Sequence, residues 1–242
     1  MDLVEARAEN ANRHPWELSR AASSLKILGQ MPKGLKFADV GAGDIYFATR
    51  LAEQLDDDVL AIDIGYERTE TVGRVHKYIN ISELEDNSVD VVLLMDVIEH
   101  INDVGAFLSE LMPKVKSGGY FYITVPAFQF LFSEHDVFLR HYRRYSKKLM
   151  RTTMASQPLT IEKMFYFYTS LFAARTLVKG IETIMPPNKS GEGVGNWGED
   201  ENHWKTKMVE GVLNVDFKVN HALQKLGLNL PGLSLCALCK KE

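Results

Sequence analysis

Between residues 16 and 168 the chain alternates short apolar runs with segments whose apolar residues fall on one helical face, and this alternation limits the fold more than any other feature. The runs Leu35 to Val40, Val59 to Ile64, Lys77 to Ile81, Val89 to Met95 and Tyr120 to Val125 read as strands. Several are apolar throughout, as strands buried on both faces must be. Between them Leu18, Ala21, Ala22, Leu25 and Leu28 share a helical face, as do Ala48, Leu51, Ala52 and Leu55, and Val104, Phe107, Leu108 and Leu111. Asp103 is placed to cap the last of these helices, and Ser117-Gly118-Gly119 to turn the chain into the fifth strand. The alternation predicts an α/β fold with a parallel sheet wrapped by helices. Beyond residue 126 the reading is a helix from Ser146 to Ser156, a strand from Thr160 to Tyr168, and a helix to about Met185. A Gly-, Pro- and charge-rich excursion follows, then a helix from Lys205 to Leu226 and a last strand from Leu233 to Leu238.

Composition narrows the class. With 242 residues, 45% of them hydrophobic and 25% charged, the chain has the balance of a globular domain, which disfavours a fibre, a disordered chain or an integral membrane protein. A net charge of -4 gives no general attraction to nucleic acid or anionic lipid, so a polyanion site has to be a local patch. The two cysteines, Cys236 and Cys239, make no disulfide framework and fit a reducing cytosol. Three residues apart on a strand, they point to opposite faces. The first twenty residues lack the pattern of a secretory signal, and Arg175 and Lys179 interrupt the apolar stretch from Met164 to Met185. A cytoplasmic location is expected, with peripheral membrane contact left open and no span.

The sharpest local signal is Phe37-Ala-Asp39-Val-Gly41-Ala-Gly43-Asp44-Ile45-Tyr46, a strand entering a glycine turn that opens a helix. Glycines there let the backbone bend tightly and approach a ligand. Asp44 reads as the helix N-cap. A dinucleotide fingerprint needs a third glycine where Tyr46 stands, and Asp39 would add negative charge beside a pyrophosphate, so a nicotinamide-dependent oxidoreductase is disfavoured. Asp63, about 20 residues after the glycines at the end of the second strand, is spaced to bind both ribose hydroxyls. A nucleoside without a phosphate fits this pair of signals.

Those residues, with Asp86-Asn-Ser-Val-Asp90-Val-Val-Leu-Leu-Met-Asp96-Val-Ile-Glu99-His100-Ile, Gly118-Gly119 and Val125-Pro126, resemble the class I S-adenosylmethionine-dependent methyltransferases over roughly residues 35 to 126. Arg13-His14-Pro15-Trp16-Glu17, the His-Asp and His-x-Arg-Arg-Tyr of the segment from His135 to Tyr145, and Pro231-Gly-Leu-Ser-Leu resemble a bacterial, small-molecule or glycan-associated branch. The resemblance implies a Rossmann-like, seven-stranded, mostly parallel sheet with helices on both faces, a reversed last strand and a helical cap. It implies S-adenosyl-L-methionine as cofactor, with Asp39, Gly41, Ala42 and Gly43 at its methionine portion, Asp63 and Ile64 at the ribose, Asn80 and Ile81 at the adenine, and Asp96 and His100 bordering it. Ile45 stands where the family has a further glycine and is tolerated at the start of a helix if its φ is negative. A single domain over 1-242 is expected: an N-terminal helical lid (1-34), cofactor-binding core (35-126), substrate loop and helix (127-157), strand (158-168), helical cap insertion (169-229) with a mobile loop at 186-203, and final strand (230-242).

Methyl transfer is an in-line displacement, so the protein chiefly aligns nucleophile, methyl and leaving sulfur. For a hydroxyl or amine acceptor, His135 and His141 have the range of a base, with Asp136 as orienter. Arg143, Arg144 and Tyr145, at the carboxyl ends of the strands, are placed to bind an acceptor bearing a carboxylate or phosphate. The acceptor class is a small molecule or a glycan- or lipid-linked group. The sequence has no compact His/Cys set, so no metal is expected. Two other readings are a non-catalytic S-adenosylmethionine-binding or regulatory protein of the same fold, motivated by Ile45, and an RNA methyltransferase using the basic run from Arg140 to Arg151.

Overall fold

The computed structural model describes residues 12–184 and 198–242. Most of the expected loop at 186-203, with Trp197, lies outside them. The described chain runs α1 (Pro15–Leu28), β1 (Phe37–Val40), α2 (Tyr46–Leu55), β2 (Val59–Ile62), β3 (Glu70–Val72), β4 (Val75–Tyr78), β5 (Val89–Met95), α3 (Val104–Leu111), β6 (Val115–Pro126), α4 (Glu134–Phe138), α5 (Lys147–Met154), β7 (Leu159–Phe167), α6 (Thr169–Ile184), α7 (Trp204–Lys225) and β8 (Ser234–Lys241).

The eight strands form one sheet in the order β3-β4-β2-β1-β5-β6-β8-β7. Pairings from β4 through β2, β1 and β5 to β6 are parallel, whereas β8 runs antiparallel between β6 and β7, the reversed last strand that the family resemblance implies. The sheet has one strand more than expected. The added β3 is a three-residue antiparallel edge joined to β4 through Gly73, and its residues are half-buried or exposed, so no apolar run marks it.

Side chains of β5 alternate between two cores. Val92 and Leu94 pack with α3 and α5 on one face, while Val91 and Leu93 pack with α1, α2 and α7 on the other. Cys239 and Cys236 divide the same way. Asp103 caps α3 as predicted, accepting the Ala106 N–H at 3.0 Å. The expected turn at Ser117-Gly118-Gly119 is instead absorbed into β6 as an irregularity: Val115 pairs with Val89 and Tyr120 with Val91, so the strand runs on through the glycines.

Candidate active site

The carboxyl ends of β1, β2 and β5 meet at the position where the strand order reverses, the natural crevice of such a sheet. After β1 the chain turns through Gly41 (φ 76°) and Gly43 (φ 55°), conformations that suit glycine. A Cβ on Gly41 would stand 2.6 Å from Val97 Cγ2, so the bare backbone also lets the turn pack against the loop after β5. Ile45 follows with φ 59°, which is positive where helix-start geometry would need it negative, and it forms the N-cap of α2 without a side-chain hydrogen bond. A β-branched residue in this region is strained by roughly 1–2 kcal/mol. The cap expected at Asp44 is therefore displaced. Asp44 pairs with Arg13 and only weakly accepts the Tyr46 N–H, at 3.4 Å.

Asp63 ties the first turn to the second: its carboxylate accepts the Gly43 N–H at 2.9 Å and the Gly65 N–H at 2.8 Å, one on each oxygen. Each oxygen keeps a second lone pair, the capacity a ribose diol needs. Ile64 beside it, two residues past β2, is 87% exposed. Asn80 caps the short turn Ile81–Glu83, and Ile81 lies half-buried against the sheet. Asp39 is buried at the end of β1, and burial pushes its carboxyl up to about 7, with the Asp63 charge adding to the rise and Arg20 opposing it.

The N-terminal helix closes over this cleft. His14 caps α1 by accepting the Trp16 N–H at 3.2 Å, Arg13 pairs with Asp44, and Arg20 pairs with Asp96 while stacking on the Trp16 ring at 4.5 Å. Arg13 and Arg20 line one cleft with Asp39, Gly41, Ala42 and Met95. Cationic groups above, a glycine turn below and a buried carboxyl beside them suit a zwitterionic amino-acid portion, and Asp63 suits its ribose. The residues fit S-adenosylmethionine.

Beside the cleft, β5 leads into the short turn Ile98–His100. Glu99 there is fully buried, neither side-chain oxygen has a hydrogen-bond partner, and burial raises its carboxyl to about 8. The His100 and His141 rings meet edge-on with centroids 4.6 Å apart, and the Tyr142 N–H donates to the Glu99 carbonyl at 2.8 Å, fastening the loop to the turn. His141 Nδ1 bonds Asp136 Oδ1 at 2.9 Å. Asp136 is also gripped by Arg144 through Nε and Nη2, at 2.8 and 2.9 Å, and it accepts from the Ser133 N–H and hydroxyl. Burial works to raise the Asp136 carboxyl, but the His141 and Arg144 bonds outweigh it and hold the group well below the ordinary range.

The structure thus brings His141, Asp136 and His100 together and gives the other acceptor-side residues different surroundings. His135 lies on α4 with Nδ1 buried and unpartnered, and burial lowers its pKa. Arg144 uses two nitrogens on Asp136, Tyr145 is buried with its hydroxyl 3.3 Å from the Ile98 carbonyl, and Arg143 donates to the Asn102 carbonyl at 2.8 Å. Glu99 and Arg20 are the site residues sequence reasoning missed. An acid between two apolar residues and a histidine, three positions after Asp96, was the available signal for Glu99; nothing near Arg20 in sequence points to Asp96.

A sheet in this order, with a glycine turn, an acidic residue just after β2 and a crevice under the first helix, is the arrangement that the resemblance to class I S-adenosylmethionine-dependent methyltransferases implies. Residues 38–123 match the family model described as a methyltransferase domain. Over 100 residues the chain is 34% identical to the ubiquinone biosynthesis O-methyltransferase of Paramagnetospirillum magneticum, a match spanning 37% of this chain and 39% of that relative. Among solved structures, a S-adenosylmethionine-dependent methyltransferase from Archaeoglobus fulgidus is 16% identical with a TM-score of 0.51, covering 93% of this chain and 94% of that one. Phosphoethanolamine N-methyltransferase 2 of Haemonchus contortus, in complex with phosphomonomethylethanolamine and S-adenosylhomocysteine, is 19% identical with a TM-score of 0.56 over 99% of this chain and 56% of its own. At these identities the structural likeness speaks for the fold. Among the described residues no helix is long and apolar enough to cross a membrane.

Proposed function

We propose that the protein transfers a methyl group from S-adenosylmethionine to a hydroxyl or amine of a small-molecule or glycan- or lipid-linked acceptor. The observation that carries this reading is the adjacency of two sites: the glycine turn with Asp63, and the His100–His141 pair with Asp136 behind it. Bound in the first, the cofactor supplies an electrophilic methyl on a sulfonium. The chain's own part is alignment. Asp63 would hold the ribose and Asn80 with Ile81 border the adenine, while Arg20 and Asp39 engage the charged ends of the amino-acid portion. His141, whose ring orientation is fixed by Asp136, would hold the acceptor's nucleophilic group in line with the methyl. His141 suits this role better than His135, which lacks such an orienting bond to a carboxylate.

An acceptor carrying a carboxylate or phosphate fits Arg143 at the rim, and the Phe128–Phe172 and Phe130–Phe172 contacts provide an apolar wall for a larger group. The small-molecule class is supported by the curated relative's name, an O-methyltransferase of ubiquinone biosynthesis, and by the phosphomonomethylethanolamine in the Haemonchus contortus complex. Incubating cell extract with the protein and methyl-labelled cofactor, followed by untargeted mass spectrometry, should yield a labelled small molecule that disappears with Asp63→Ala. Label appearing only in RNA, or no label with cofactor-competent protein, would overturn the proposal.

A further inference from the structure

The geometry points to a divalent transition-metal site formed by Glu99, His100 and His141 beside the predicted methyl-transfer centre. One ligand atom from each residue lies within 4.8 Å of the other two. The residues come from two segments 41 positions apart, so their convergence is a product of the fold, and the bond from the Tyr142 N–H to the Glu99 carbonyl holds the segments in register. Donors about 2.1 Å from a tetrahedral ion stand roughly 3.4 Å apart, so small side-chain rotations complete the set.

Two independent observations indicate a cation. Glu99 is fully buried with both carboxyl oxygens unpartnered, an arrangement that costs free energy unless something engages them. His141 gives Nδ1 to Asp136, which fixes the ring and leaves Nε2 as its ligand atom; Arg144 and Ser133 in turn immobilise Asp136. A carboxylate behind a histidine is the usual outer support of a metal-bound imidazole, setting its tautomer and raising its basicity. Two imidazoles and one carboxylate suit Zn²⁺, Mn²⁺, Fe²⁺ or Co²⁺ better than the oxygen-seeking Mg²⁺ or Ca²⁺. Three protein ligands leave a position open for an acceptor oxygen.

The catalytic role of this ion rests on the methyl-transfer reading above; its binding does not. Coordinated at the open position, an acceptor hydroxyl would release its proton to water and attack the methyl carbon as a metal-held alkoxide. The new C–O bond forms as the S–CH₃ bond breaks, its electron pair going to sulfur.

The test uses untagged full-length protein stripped with a chelator and titrated with Co²⁺ and Zn²⁺, reading calorimetry and the visible d–d bands of Co²⁺. We expect one ion per chain, with binding at least tenfold weaker in Glu99→Gln and in His141→Gln, and roughly 10–100-fold weaker in Asp136→Asn. Glu99→Gln keeps the shape of the side chain and replaces only the carboxyl group that would ligate the ion, so it preserves the fold, which a thermal melt verifies. No binding by folded wild-type protein, or equal binding by Glu99→Gln and His141→Gln, would overturn the site. Titrating S-adenosylmethionine into the same samples separates this outcome from failure of the methyltransferase reading.

Discussion

Asp39 is the residue whose surroundings make the sharpest claim about pH. Its carboxyl is neutral up to about pH 7 in the native protein and ionises near its ordinary value of 3.8 once unfolded. Between those limits the folded state holds a proton that the unfolded state has lost, so the contribution is fully present below about 3.8 and falls away as pH rises through 7. Cofactor-free protein should therefore lose stability across that interval by up to a few kcal/mol, and Asp39→Asn should flatten the dependence. Denaturant melts from pH 4 to pH 8 measure it; parallel curves for the two proteins would contradict the assignment. Gly41 makes a packing claim at the same scale. Gly41→Ala must accommodate a positive φ and a methyl against Val97, so it should cost about 1–3 kcal/mol and weaken cofactor binding. The glycine turn at Gly41 and the placement of Asp63 beside it were legible in the sequence because both follow from position at strand ends. The partnership of Asp136 with Arg144 and His141 was not, because it depends on how one loop folds back on a single carboxylate. Arg144 consequently reads in sequence as a free cation and in structure as a brace.

Elements whose signal is local agree best between sequence and structure. β5 has the predicted bounds because a seven-residue run feeding two cores has only one register that buries both sets. β4 differs, spanning Val75–Tyr78 where the reading began at Lys77, because His76, Lys77 and Tyr78 are only half-buried near the sheet edge and the apolar pattern is weak. The return from β7 to β8 makes a stringent prediction. Gly232 passes so close to β7 that a Cβ would meet the Phe167 carbonyl oxygen at 2.2 Å and its carbonyl carbon at 2.5 Å, and backbone cannot move aside as a side chain can. Gly232→Ala should destabilise by at least about 1–3 kcal/mol, lowering the melting temperature by several degrees. An unchanged melt would show that the two segments stand further apart. Between α1 and its neighbours the seam is polar: the Tyr122 hydroxyl donates to Ser24 at 3.0 Å, the Tyr168 hydroxyl to Ser19 at 3.0 Å, and Ser19 to Asn214 at 2.8 Å. These serines occupy a face that the periodicity of Leu18, Leu25 and Leu28 alone would leave apolar.

Across the whole molecule, the sheet places two chemistries side by side. Loops after β1 and β2 bring the glycine turn against Asp63, the proposed cofactor site, and the turn after β5 joins the segment after β6 to build a histidine–carboxylate group. The net charge of -4 hides a local basic run between Arg140 and Arg151, whose members the structure sends to different partners: Arg143 to the Asn102 carbonyl, Arg144 to Asp136 and Lys147 to Asn229. The central claim is that the cleft beneath α1 takes S-adenosylmethionine, and calorimetric titration of the cofactor into protein freed of any copurified ligand tests it most directly. The account predicts one site per chain, with Asp63→Ala weakening it by at least tenfold while the fold persists. Well-folded wild-type protein that gives no binding heat, or an Asp63→Ala variant that binds as tightly as wild type, would contradict it.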